Sequence, residues 1–94
     1  MLNTVTMRFN ETNPMFVRNN EYNRHFVHHT AAMILATLES RGYVYLNQVY
    51  EAYGVKWNPE WENVCIIDTD DTTPSIDIKI RKRKCGDYVI TITW

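Results

Sequence analysis

The segment SIDIKIRKRKCGDYVITITW, residues 75–94, constrains the fold more than any other part of the chain. Ile76, Ile78 and Ile80 recur at every second position, and so do Tyr88, Ile90, Ile92 and Trp94. A period of two marks strands with one apolar face. Residues opposite each other in an antiparallel pair share a face, so the loop length decides which side chains become neighbours. A two-residue loop at Cys85-Gly86 would set Arg81 beside Ile90 on the core face, which is costly. A three-residue loop, Lys84-Cys85-Gly86, pairs Lys82 with Tyr88, Ile80 with Ile90 and Ile78 with Ile92. Every apolar residue then falls on one side. Gly86 supplies the left-handed backbone of a bulged hairpin.

The rest of the chain must cover that face. Residues 20–41 carry Phe26, Val27, Thr30, Ala31, Ile34, Leu35 and Leu38 at the three-and-four spacing of a buried helical stripe. Asn20 is the expected N-cap and Gly42 the expected left-handed stop. Residues 2–9 alternate, with Val5, Met7 and Phe9 on one side and Thr4, Thr6 and Arg8 on the other, as in a half-buried strand. A short helix follows Leu46, with Asn47 expected as its N-cap and Gly54 as its stop. Val49, Tyr50 and Tyr53 share its docking stripe. Tyr43 and Tyr45 belong to a short extended link, a turn-rich connector holds Trp57 and Trp61, and residues 64–67 are a candidate strand. The expected class is α+β: an antiparallel sheet, made of the N-terminal strand and the C-terminal hairpin, packed on one long and one short helix. Ninety-four residues leave room for a single domain, 1–94, and not for two cores.

Composition narrows the function classes. A hydrophobic share of 45% opposes general disorder. A net charge of -1 suggests neither a general nucleic-acid binder nor an acidic DNA mimic. Cys65 and Cys85 lack metal-site spacing and are expected as reduced thiols, with one disulfide between them as the alternative. No signal-peptide pattern opens the sequence and no apolar run could span a bilayer, so a cytoplasmic location is expected.

Three groups of residues are candidate sites. Tyr43, Tyr45, Tyr53, Trp57 and Trp61 concentrate aromatic surface in one stretch, and Tyr and Trp are enriched at binding hot spots. Core filling is the competing explanation. Lys79, Arg81, Lys82, Arg83 and Lys84 form a basic finger fit for phosphates or an acidic partner. Lysines on exposed strands also discourage edge-to-edge aggregation, and that explanation carries the greater weight. No aromatic residue interleaves these charges, so base stacking is not signalled. His25, His28 and His29 lie on neighbouring helical surface. His25 and His29, one turn apart, are the only metal candidates, without the glutamate of an H-E-x-x-H helix. Asp68, Asp70 and Asp71 make a polar loop without calcium-loop spacing. No phosphate-binding glycine loop, nucleophile elbow or deaminase pattern is present, so neither enzymatic activity nor a cofactor is expected.

Residues 42–54, GYVYLNQVYEAYG, resemble the recurring GxVxLNxVYxALG-type segment of small uncharacterised proteins from phages and prophages of gut Firmicutes. In those a helix precedes the segment and a strand pair follows it, an order shared by about residues 30–94 here. Ala52-Tyr53-Gly54 stands where that family has alanine-leucine-glycine. The tryptophan-bearing connector and the KIRKRK strand depart from it. The resemblance implies a mobile-element origin and carries no catalytic residue across. It favours a non-enzymatic module that binds a host protein, in its narrowest form an inhibitor of a bacterial defence system such as a CRISPR nuclease. The alternatives are a phage structural or assembly protein forming a homo-oligomer, and a nucleic-acid-binding module using Lys79–Lys84.

Overall fold

A computed structural model describes residues 3–68 and 76–94. The elements run β1 (Thr4–Phe9), α1 (Asn20–Arg41), β2 (Tyr43–Tyr45), α2 (Leu46–Ala52), a 3-10 turn (Pro59–Trp61), β3 (Cys65–Ile67), β4 (Asp77–Lys82) and β5 (Tyr88–Thr93). The fold is α+β, with an antiparallel sheet of the N-terminal strand and the C-terminal hairpin, one long helix and one short one. No helix among the described residues is long and apolar enough to cross a membrane.

The hairpin takes the register set by its apolar alternation. Lys82 faces Tyr88, Ile80 faces Ile90 and Ile78 faces Ile92. At the tip the Arg83 N–H donates to the Asp87 carbonyl at 2.7 Å and the Gly86 N–H to the Arg83 carbonyl at 3.0 Å. Gly86 has φ +94°, which an L side chain would resist. The N-terminal strand pairs antiparallel with β5, giving the order β1-β5-β4. Val5, Ile92 and Ile78 thus make one row across the inner face, and Met7, Ile90 and Ile80 the next. Tyr88, Ile90 and Ile92 lie buried on the central strand, where full burial of such a side chain contributes roughly 1.5–3 kcal/mol.

Helix α1 spans 22 residues, about 33 Å at 1.5 Å per residue. Its cap lies one residue before the expected place: the Asn19 side chain accepts from the Tyr22 N–H at 3.0 Å, so Asn20 is the first helical residue. Either asparagine of this pair could cap; the chain uses the one whose backbone is extended. Asn23, Val27, Thr30, Ile34 and Leu38 are buried. Phe26 and Ala31 are half-buried, whereas Leu35 is 44% exposed and leaves the expected stripe. The covered stripe runs along Val27, Thr30, Ile34 and Leu38, with Phe26 and Ala31 at its margin. Gly42 stops the helix at φ +82°, its N–H donating to Leu38.

The chain departs from the one-sheet expectation after Gly42. Strand β2 pairs with β3 as a second, two-stranded sheet: Tyr43 faces Ile67, Val44 faces Ile66 and Tyr45 faces Cys65. Val44 and Ile66 point into the core. The N-cap of α2 is Tyr45, not Asn47, and the Gln48 side chain accepts from the Tyr45 N–H at 3.1 Å. Asn47 is buried within the helix, where its amide donates to the Asn58 carbonyl at 3.2 Å and accepts from the Asn58 N–H at 3.0 Å. That reciprocal pair ties the connector to α2 as a strand would. At the other end Gly54 donates to Glu51, and Val55 to Tyr50. These are the two hydrogen bonds of a Schellman stop. Buried Val49, Tyr50 and Tyr53 dock this short helix, and the buried residues of both sheets and both helices form one cluster.

Candidate partner-binding surfaces

The aromatic group is divided between the core and the surface. Tyr53 is fully buried, packs edge-on to Phe26 at 6.4 Å and donates its hydroxyl to the Val27 carbonyl at 3.0 Å. It is a core residue joining α2 to α1, which corrects its place among the binding candidates. Burial pushes its phenol well above the ordinary tyrosine range. Burial also raises Tyr50, an effect the neighbouring Trp61 indole partly offsets. Trp61 is half-buried against the core, and among the described residues its indole N–H finds no hydrogen bond of proper geometry. The Val49-Tyr50-Tyr53 stripe was the signal that Tyr53 belongs inside.

Tyr43 and Tyr45 stay out. They are 38% and 43% exposed, on the outer side of the small sheet, because strand alternation spends Val44 on the core. Their rings meet edge to face at 5.9 Å and 79°. The Arg41 guanidinium lies 4.8 Å over the Tyr43 ring and donates to its hydroxyl at 3.1 Å. Ile67, directly across from Tyr43, is 63% exposed. Sequence reasoning missed Ile67 as a neighbour of the tyrosines, because the β2–β3 pairing brings Tyr43 to a residue 24 positions away; Arg41, two residues before Tyr43, reads in the sequence only as a helix-end charge. Beside Arg41 a groove of about 160 Å³ runs between the helices, lined by Met33, Thr37, Val44 and Gln48 among others. Trp57 is 61% exposed and donates its indole N–H to Glu51 at 3.0 Å. Among the described residues no ring contact joins it to the tyrosine pair.

The basic residues divide between the sheet and the hairpin turn. Lys79 and Arg81 stand on the outer face of the large sheet, and Lys82 shares a row with inward-facing Tyr88, yet is exposed at the sheet edge. Arg83 and Lys84 are exposed in the hairpin turn beside Cys85. Both cysteines are free thiols, Cys65 half-buried and Cys85 exposed.

His25, His28 and His29 are all exposed on α1. The His25 and His29 rings stack at 5.4 Å. Among the described residues no group of three His, Cys, Asp or Glu is placed to hold a metal ion. Asp68 donates its backbone N–H to the Gly42 carbonyl at 2.9 Å, extending the small sheet. Asp70 and Asp71 lie outside the described residues. Comparison with protein-family models, with curated proteins and with solved structures finds no match.

Proposed function

We propose that this protein is a non-enzymatic binding module that holds a protein partner on the outer face of its small sheet. One observation carries the reading. Tyr43, Tyr45 and Ile67 remain exposed together while Tyr50, Tyr53 and Tyr88 are buried. Tyr and Arg are the residue types enriched at the energetic centre of interfaces. Arg41 holds the Tyr43 ring from one face and the edge of Tyr45 meets it, so little side-chain freedom is left to lose on binding.

In its narrower form the partner is a bacterial host protein met in the cytoplasm, a defence nuclease such as a CRISPR effector. That form rests on the resemblance of residues 42–54 to phage and prophage proteins. Affinity capture from a Firmicute lysate tests both levels. A single host protein retained by the wild type and by a Lys79→Glu, Arg81→Glu variant, but lost with Tyr45→Ala, Ile67→Ala, is the expected result. If the wild type instead sediments as a homo-oligomer that the same two substitutions dissolve, the face serves self-assembly, as a particle component would require.

A further inference from the structure

The large sheet carries a second surface of different chemistry. Registering β1 and β4 on β5 aligns its outward side chains in three rows: Arg8–Val89–Arg81, Thr6–Thr91–Lys79 and Thr4–Thr93–Asp77. The cations sit on the two edge strands, while the central strand contributes only Val89 and two threonines. Adjacent strands lie about 4.8 Å apart, so Arg8 and Arg81 flank Val89 across roughly 10 Å. Arg81 and Lys79 wall one side of a shallow groove of about 660 Å³ floored by Val89 and Thr91, with Thr6 on the β1 side.

The charge is concentrated here. β1 and the hairpin hold Arg8, Lys79, Arg81, Lys82, Arg83 and Lys84, against Asp77 and Asp87 alone. That is a net of +4 in a molecule of net -1, leaving -5 on everything else. All six cations are exposed. Among the described residues the carboxylate contact here, Asp77 to Lys79 at 3.9 Å, is long and solvated, and such a pair exchanges readily.

The geometry points to a single strand of nucleic acid lying along β5, its phosphates met by Lys79 and Arg81 from the β4 edge. Lys79 and Arg81 are two residues apart, about 6.8 Å along the strand, which lets them serve neighbouring phosphates. The threonine hydroxyls add neutral donors of the kind that commonly meet phosphate oxygens. The three-stranded face is roughly 10 Å wide between its edge strands, room for one extended backbone. No aromatic side chain stands on this face, so the bases are not stacked and the binding is indifferent to sequence. Edge protection by lysine accounts for charge at the sheet margin; phosphate binding also uses Arg81 and Lys79 on the outer face.

Fluorescence anisotropy of the full chain with a labelled oligodeoxythymidine tests this. Binding is expected with a log–log salt slope near -0.7 per phosphate contacted, about -2 to -3 for three or four cations. Lys79→Glu, Arg81→Glu should weaken it at least about tenfold at low salt, with its elution volume and melting curve unchanged. If that variant does not fold, the single substitutions Lys79→Gln and Arg81→Gln supply the same readout. Tyr45→Ala, Ile67→Ala should leave binding intact, which separates this face from the tyrosine face. Absence of salt-dependent binding, or its survival in every cation variant, overturns the inference. So does equal affinity for duplex, or displacement by polyglutamate at equal charge concentration, which would mark an acidic protein as the partner.

Discussion

The two sheets of this protein have similar inner faces and opposite outer ones. Inside, both present aliphatic side chains to one cluster: Ile78, Ile90 and Ile92 from the large sheet, Val44 and Ile66 from the small. Outside, the large sheet shows threonines, arginines and a lysine, and the small sheet shows Tyr43, Tyr45 and Ile67. The polar face needs no explanation from stability, because water solvates it without loss. The apolar face does. Each exposed aliphatic or aromatic group forgoes part of the roughly 1.5–3 kcal/mol that full burial offers. In a chain with so small a core, that expense on three neighbouring residues is the stronger pointer to a partner. The charge on the large sheet is informative for another reason: three cations, Arg8, Lys79 and Arg81, stand there against one carboxylate, Asp77, at little energetic cost.

The comparison predicts where the stability lies. Ile92 is fully buried at the centre of the large sheet, between Val5 and Ile78. Ile92→Ala should cost roughly 2–5 kcal/mol, measured by urea unfolding. A loss below about 1 kcal/mol would put the main core elsewhere. The two helix-stop glycines sharpen the contrast. Gly42 and Gly54 have nearly the same φ, +82° and +78°. A Cβ at Gly42 meets nothing within 4 Å, whereas at Gly54 it would lie 2.7 Å from Asn13 Oδ1 and 2.8 Å from Met15 Cγ. Gly42→Ala therefore costs only the left-handed strain, about 1–2 kcal/mol. Gly54→Ala must also displace Asn13, whose amide donates to the Tyr53 carbonyl at 2.8 Å, and should cost clearly more. Equal losses would mean that the Asn13 loop yields freely.

Alkaline unfolding probes the joint between the helices. The buried phenols of Tyr53 and Tyr50 have raised pKa values in the folded chain, while the unfolded chain ionises near pH 10. Above that pH the folded state binds more protons than the unfolded one, so stability falls as pH rises. Below it their contribution is complete and flat. The slope approaches about 1.4 kcal/mol per pH unit for each phenol still protonated when folded. Tyr53→Phe should remove one such contribution, at a neutral-pH cost of about 1 kcal/mol for the hydrogen bond to Val27. An unchanged alkaline slope would show that Tyr53 ionises without unfolding.

How much of this was legible depended on distance along the chain. The hairpin register followed from side-chain alternation across a short turn, and the helix stops from Gly42 and Gly54. The small sheet did not, since three residues on each side carry too little pattern to declare a pairing across 19 intervening positions. Buried asparagines were also silent. Asn23 donates to the Val17 carbonyl at 2.6 Å and accepts from its N–H at 3.1 Å, and Asn47 does the same for Asn58. From sequence, asparagine suggests a cap or a turn. In both places it satisfies the backbone of a loop that secondary structure does not reach. The exposed tyrosines were found as residues, but their neighbours Arg41 and Ile67 needed the fold.

The smallest stability change belongs to the surface that matters most to the proposed function. Tyr45 and Ile67 are exposed on the small sheet's outer side. Surface substitutions of this kind usually alter stability by no more than about 0.5 kcal/mol. Tyr45→Ala, Ile67→Ala should therefore melt close to the wild type, though two β-favouring residues are lost from a short strand pair. If the pair instead destabilises the fold by more than about 2 kcal/mol, the face is structural. Its exposed apolar area would then belong to holding β2 against β3. A near-neutral result combined with loss of the captured partner would leave binding as the reason these side chains face water.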